Sequence, residues 1–335
     1  MTGTALTRIA KPTLEHFICS VFVAAGLRVD LAADVTEVLI EADMMGHSTH
    51  GLALVPMYLD SLESGGMAKD GEIEVLADMG ACATWTCNRL PGATVTKRAM
   101  SLGIERARTF GCSTVSFTDS YHMGALAVYL VAATQQGMTP NPIAAGIPTS
   151  GDPILLDISA SITTRNKSLQ YAAAGKRFPG QWVMDAAGIP SDDPNVLLEG
   201  GTMLPIGGLD HGHKGYALGL MVEALTQGFS GIGRANEQTG TYTTGFLQVF
   251  DPQAFSGKDA FTRTTDHLVK LCQKNPPREG VDKVRVPGEN AMNLRRAAVE
   301  SGVYLSGQTM QGLEDAAEQT GVKLPDPVAQ LMYDI

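Results

Sequence analysis

The stretch Gly46-His47-Ser48-Thr49-His50-Gly51 packs two histidines and two hydroxyls into six residues. Histidine is the side chain best suited to passing a proton near neutral pH. The stretch also reads as an ordinary polar turn whose histidines satisfy local hydrogen bonds. A further histidine, His122, closes the polar loop 118–122 after the strand-like run Gly111–Phe117. Ends of strands in open α/β sheets commonly carry functional groups. Two lysines offer positive charge. Lys167 follows Leu156-Asp157-Ile158-Ser159-Ala160-Ser161, and Lys214 lies in His211-Gly212-His213-Lys214-Gly215, ahead of a predicted helix over 216–226. Glycine, a basic residue and free amides at a helix start make an anion site, although ordinary helix entries look similar. Proton transfer by His50 or His122 beside Lys167 or Lys214 suits a small carboxylate being oxidised or reduced.

Other chemistries are disfavoured. No G-x-G-x-x-G turn links a strand to a helix, and neither a P-loop nor a G-x-S-x-G elbow occurs. His47 with His50, and His211 with His213, lack a third ligand, so no metal is expected. A net charge of −10 argues against nucleic acid and anionic membranes as partners. No apolar run reaches the length of a membrane span. The odd set Cys19, Cys82, Cys87, Cys112 and Cys272 has no zinc spacing, and no secretory signal precedes it. These are expected to be free thiols in a reducing, cytoplasmic compartment, with Cys82 and Cys87 as small buried apolar residues.

At 335 residues two domains are expected. Residues 1–70 read as helices: one opens at Pro12-Thr13, one spans 32–45 and one spans 53–63. Residues 71–285 read as mixed α/β. Short strands cover 72–78 and 81–87, a helix 92–109, the strand before His122, and a helix 125–136. The two prolines of Gly137-Met138-Thr139-Pro140-Asn141-Pro142 predict irregular structure. Strands follow over 143–147, 154–158 and 245–250, with a loop over 175–194. Helices return over 254–272, 289–301 and 309–321. The predicted architecture is therefore a mixed α/β domain over 71–285 and a helical domain from 1–70 and 286–335.

Several stretches, in order, resemble one family. Thr49-His50-Gly51 with Pro56-x-Tyr58 is similar to the S-H-G-V-x-R-x-P-x-Y motif of the type-2 malate/L-lactate dehydrogenases, whose relatives include ureidoglycolate and sulfolactate dehydrogenases and the piperideine/pyrroline-2-carboxylate reductases. Asn141-Pro142-Ile143-Ala144 resembles T-N-P-I-A, and Leu156 to Ser161 with Lys167 resembles D-M-A-T-S…G-K. His213-Lys214-Gly215-Tyr216-Ala217-Leu218 resembles H-K-G-Y-G-L, and Pro287-Gly288-Glu289 a late P-G-E.

The resemblance implies an α/β fold with a non-Rossmann, mixed-sheet NAD(P)-binding domain, a helical domain built from both chain ends, and a homodimer. It implies NAD or NADP as cofactor and a small 2-hydroxy or 2-oxo acid as substrate. His50 matches the proton-relay histidine, and His122 a second histidine that is sometimes assigned as the proton acceptor. Asp157, Ile158, Ser159, His213, Lys214, Gly215, Pro287, Gly288 and Glu289 match cofactor positions. His47, Thr49 and Asn141 fall at substrate positions. Lys167 stands where the oxoacid dehydrogenases tend to have lysine and the imine reductases aspartate, which favours an oxoacid over a cyclic imine. Two features depart from the pattern. Leu54 and Met44-Met45 occupy positions where arginines are usual, and a strand with a glycine-rich loop is expected to be missing after Gly137. The shortening leaves a further reading, a catalytically impaired relative that keeps its scaffold or its ligand.

Overall fold

The computed structural model describes residues 5–141, 143–236, 243–327 and 329–332. The chain begins with β1 (Ala5–Ile9), α1 (Lys11–Ala24) and α2 (Val29–Met44). Two short 3-10 turns, Ser48–His50 and Leu52–Leu54, lead into α3 (Val55–Glu63). Next come β2 (Glu74–Asp78), β3 (Cys82–Thr86), α4 (Gly92–Phe110), β4 (Cys112–Ser120) and α5 (Ala127–Thr134). Three short strands follow: β5 (Thr139–Asn141), β6 (Ala144–Ile147) and β7 (Ile154–Asp157). After them lie α6 (Arg165–Ala173), β8 (Val183–Met184), β9 (Pro190–Ser191), β10 (Thr202–Met203) and α7 (Gly208–Glu223). The chain closes with β11 (Thr243–Phe250), α8 (Lys258–Lys274), α9 (Glu289–Ser301), β12 (Val303–Ser306), α10 (Gly307–Thr320) and β13 (Ala329–Met332).

Two compact units result. The first joins Met1–Asp157 to Phe229–Ile335, and the second is Ile158–Gly228. The boundaries expected near residues 70 and 286 both fall inside the first unit.

Within the first unit, α1 buries Leu14, Phe17, Ile18, Val21 and Phe22, and α2 buries Leu31, Val35, Val38 and Leu39. These are the three-and-four spacings of a helix with one apolar face. A five-stranded sheet runs in the order β2-β3-β4-β11-β5. The β3–β4 pair is parallel and the others are antiparallel, so the sheet is mixed, as expected. Parallel neighbours need a crossover, and α4 supplies it. At Gly103 of α4 a Cβ would come within 2.9 Å of Val249 Cγ2, so only glycine lets α4 lie this close to β11.

The structure corrects four local expectations. The chain ends are not purely helical: β1 pairs with β12 and with β13 in a three-stranded antiparallel sheet. The two ends do meet, through that sheet. Pro140 does not break regular structure, because it lies in β5 opposite Val249. Since β5 is an edge strand, only one of its sides takes part in the ladder, and proline is tolerated there. The stretch 175–194 is not loop throughout, since β8 and β9 form within it around the stacked rings of Phe178 and Trp182. Finally, Cys87 is buried but Cys82 is exposed; all five cysteines are free thiols.

Candidate active site

The histidine turn starts where α2 ends. Gly46 adopts φ +80°, which reverses the chain, and the His47 amide donates back to the Ala42 carbonyl at 2.8 Å. This is a helix-ending reversal of the kind that glycine favours. The His47 carbonyl accepts from the His50 amide at 2.8 Å, which closes the first 3-10 turn. Pro56 sits in the first turn of α3. Gly51 has no room for a side chain, because a Cβ would lie 2.3 Å from Asp43 Oδ2. That carboxylate accepts from the Leu52 amide at 2.6 Å. Burial pushes the Asp43 carboxyl up to about 7.

His50 and His122 come together. Their rings stack with centroids 5.8 Å apart and planes 17° from parallel. The Thr49 hydroxyl lies 3.0 Å from His50 Nδ1. His122 follows β4, and its Nδ1 lies 2.9 Å from the Tyr58 hydroxyl of α3 and 3.2 Å from the Gly124 amide. Tyr58 is buried, and its ring meets that of Tyr121 edge-on at 5.3 Å. Gly92, opening α4, lies against this backbone: a Cβ there would be 2.3 Å from the Tyr121 carbonyl and 2.6 Å from that of His122.

Asp157 closes β7 and accepts from the Ala127 amide at the start of α5 at 2.9 Å. Burial lowers the His50 pKa, the Asp157 charge opposes that shift, and His47 adds to it. His122 is pushed down to about 4, chiefly by burial and further by His50. It is therefore a neutral imidazole near pH 7, whereas His50 keeps a nearby carboxylate that favours its protonated form.

The turn Pro287-Gly288-Glu289 packs against the same strand as Asp157. The Leu155 amide donates to the Pro287 carbonyl at 3.0 Å, and a Cβ on Gly288 would come within 2.8 Å of that amide. Lys283 Nζ lies 2.5 Å from the Glu289 carboxylate and holds it below the usual range. Asn141 sits in β5 opposite Gln248.

The remaining expected residues belong to the second unit. Ile158 is exposed, and the Ser159 hydroxyl donates to the Ser161 carbonyl at 2.9 Å. Lys167 is exposed in the first turn of α6, with its ammonium 5.4 Å from the centre of the Tyr171 ring. His213-Lys214-Gly215 lies inside α7 rather than ahead of it, following a non-helical residue at His211. The expected helix start thus falls at a kink. Gly215 is tightly held, since a Cβ would lie 2.5 Å from the Ile206 amide, while His213 and Lys214 are exposed.

The residues that resemble no arginine are apolar for a visible reason. Leu54 is buried in the main core, and Met45 packs with Ala127, Leu130, Ala144 and Leu155. Three participants in this cluster went unassigned from sequence: Asp43, Tyr58 and the Gly124 amide. Asp43 carried a signal, being a carboxylate four residues beyond the buried Leu39 and eight beyond the buried Val35. Among the described residues, no group of three or more His, Cys, Asp or Glu could hold a metal ion, and no helix is long and apolar enough to cross a membrane.

Comparison with known proteins identifies the family of the chain. The family model described as malate/L-lactate dehydrogenase matches residues 9–140 and 138–314, two stretches that meet at 138–140. The L-sulfolactate dehydrogenase of Methanothermobacter thermautotrophicus is 30% identical over 325 aligned residues, covering 88% of this chain and 91% of that protein. The Delta(1)-pyrroline-2-carboxylate/Delta(1)-piperideine-2-carboxylate reductase of Pseudomonas syringae pv. tomato is 28% identical over 344, covering 92% and 96%. That alignment is longer than this chain's 335 residues, so the reductase carries residues with no counterpart here. In structure, malate dehydrogenase from Entamoeba histolytica superposes with a TM-score of 0.89 at 21% identity, over 96% of this chain and all of that one, a likeness of fold. With matches that run through most of its length, the chain belongs to the malate/L-lactate dehydrogenase family.

Proposed function

We propose that the chain is an NAD(P)-dependent oxidoreductase that moves a hydride between nicotinamide and C2 of a small 2-hydroxy or 2-oxo acid of the malate/lactate type. Family membership supports the broad class, an oxidoreductase acting on hydroxy acids. The observation that carries the mechanism is the His50–His122 pair, with Asp157 acting on His50.

Each unit carries groups whose chemistry suits part of a dinucleotide. Ser159 and Ser161 offer exposed or half-exposed hydroxyls and Lys214 an exposed cation, all suited to phosphate oxygens. Gly288 and Gly215 are sites of close backbone approach, and Glu289 and Asp157 carry carboxylates suited to ribose hydroxyls. The cofactor assignment also includes Ile158 and His213 of the second unit and Pro287 of the first. When bound, the nicotinamide cofactor supplies or accepts the hydride.

The chain's own groups handle charge and protons. In the reducing direction His50 gives a proton to the oxygen that becomes the hydroxyl, and takes it back in the oxidising direction. Asp157 favours the charged imidazolium between turnovers. His47, Thr49 and Asn141 are assigned to the substrate; the His47 carbonyl also closes the turn, and the Thr49 hydroxyl faces the His50 ring. Lys167 is assigned to the substrate carboxylate or the C2 oxygen, where a cation stabilises negative charge. The same reading includes a reducing, cytoplasmic setting and a homodimer; α8 leaves Leu268 and Leu271 each 49% exposed, an apolar face that a second copy would cover.

A second reading is favoured by one specific set of observations. The family match breaks at 138–140, and Leu54 and Met45 fill arginine positions with buried apolar side chains. This supports a shortened relative that binds a ligand without efficient turnover. Titration with NADH and with NADPH, followed by a turnover assay with whichever binds, separates the two. Fluorescence transfer or thermal stabilisation by either nucleotide is expected, and silence with both overturns the enzyme reading. Malate, lactate, sulfolactate, ureidoglycolate and a cyclic imine then form the substrate panel. Turnover of the imine alone would make the chain a reductase of that relative's kind.

A further inference from the structure

We propose that Tyr58, together with the Gly124 amide, locks His122 as the neutral tautomer protonated on Nε2. His122 then acts as a fixed hydrogen-bond donor to the substrate oxygen and leaves proton transfer to His50. The role of His122 rests on the oxidoreductase reading; the tautomer lock does not.

The argument starts from a donor that has no alternative. A backbone amide donates and never accepts, and the Gly124 amide points at His122 Nδ1 from 3.2 Å. Nδ1 must then present its lone pair, which places the single proton of the neutral ring on Nε2. The Tyr58 hydroxyl is the second constraint. It lies 2.9 Å from Nδ1 and 3.1 Å from the His122 carbonyl, and both of those atoms are acceptors in this tautomer. Tyr58 therefore donates into the His122 residue whichever of the two it favours. The opposite tautomer would set the Nδ1 proton against the Gly124 N–H and leave that amide unpaired.

Tyr58 is well held for this task. Its side chain is 1% exposed and packs against Phe22, Tyr121 and the His122 ring. Gly124 adopts φ +74°, and a Cβ there would lie 2.9 Å from Val38 Cγ1. Its amide is thus aimed by a turn that favours glycine and is braced by α2. On the other side, Gly92 brings α4 against the His122 carbonyl. His122 Nε2 makes no hydrogen bond with the described residues and remains the group free to meet a ligand. An imidazolium would need a proton on Nδ1, where two donors already converge. The ring that resembles a proton acceptor is in this chain disfavoured from accepting one. His50, whose Nδ1 faces the Thr49 hydroxyl, a group that can donate or accept, and whose charge is helped by Asp157, carries no such block.

Tyr58 is a positioning residue, so its test reads the ring as well as the rate. The protein labelled with 15N-histidine is studied by long-range 1H–15N correlation, with His122→Gln used only to assign the resonance. The expected pattern is a pyridine-type Nδ1 and a pyrrole-type Nε2 that persist across neutral pH. A pyrrole-type Nδ1, or a His122 imidazolium at neutral pH, would overturn the lock. These readings use the unmodified protein and need no turnover, so they stand apart from any failure of the oxidoreductase assignment. Tyr58→Phe keeps the ring and removes the donor. It should admit a second tautomer, move the His122 titration to higher pH, and lower turnover on the order of tenfold to a hundredfold, the usual worth of a partner that orients a histidine. An unchanged tautomer and titration in a folded Tyr58→Phe would remove Tyr58 from the proposal's terms and overturn it.

Discussion

Asp43 accepts a hydrogen bond from the Leu52 amide at 2.6 Å, and this bond ties the end of α2 to the turn that carries His50. Among the described residues it is the one hydrogen bond of this carboxylate, and burial pushes its pKa up to about 7. An aspartate in the unfolded chain titrates near ~3.9. Between those values the folded state keeps a proton that the unfolded state releases. Stability contributed at this site therefore falls as pH rises from about 4 to about 7 and is level above that. Asp43→Asn keeps an acceptor for Leu52 and abolishes the titration. Urea unfolding at pH 5 and pH 8 should show the variant gaining on the parent at the higher pH, by a few kcal/mol at most. An equal difference at both values would mean that Asp43 stays ionised throughout.

His50→Ala removes the proposed proton carrier while the turn keeps its backbone bonds from His47 and its capping by Asp43. The fold and its thermal midpoint should survive, with turnover lower by roughly two to four decades, the usual worth of general acid–base catalysis. Steady-state kinetics beside circular dichroism decides this. A folded variant with full turnover would leave His50 without a catalytic role.

Asp157 acts on His50 through its charge while capping α5 through Ala127. Asp157→Asn keeps an oxygen for the amide and removes the charge. The His50 pKa should then fall further below its ordinary value, because burial would be opposed by less. In the reducing direction the alkaline limb of the rate profile should move to lower pH, since the proton donor is lost earlier. A limb that stays in place would show that another group sets it. Chemical denaturation of the same variant checks stability alone: loss of charge at a helix N-terminus should cost only ~0.3–1 kcal/mol.

How much of this was legible in the sequence depends on how local the cause is. The apolar spacing of Phe17, Val21 and Phe22, and of Val35, Val38 and Leu39, marks α1 and α2 because a helix reads its own periodicity. β1 is different. Its five residues gain strand character by pairing Ile9 with Val303 and Arg8 with Ala329, partners that no local window contains. Pro140 misleads for a related reason, since its strand exists through Val249. In the site, His50 and His122 could be singled out by residue type. Their stacking, and the placement of Asp157 near His50, needed the tertiary packing that brings together β4, the separate β6–β7 pair and the helix turn. Tyr58 was visible only as part of a motif, because the reason for its hydroxyl lies 64 positions away in His122.

Leu54 tests whether the departure from the family's arginine is built into the packing. Its side chain is 7% exposed and belongs to the main core, within the turn that leads into α3. Leu54→Arg would restore the residue that the resemblance calls for, but it would place a guanidinium among apolar neighbours. A buried charge without a partner costs several kcal/mol, and an overfilled core adds to that. The variant should lose a large part of its stability in chemical denaturation and gain nothing in substrate affinity. A thermal midpoint held at the parent value, together with a lower KM for a carboxylate substrate, would instead show that the arginine reaches an open pocket. In that case the core around Leu54 would be yielding rather than committed, and the chain would remain within one substitution of the arginine that the resemblance calls for.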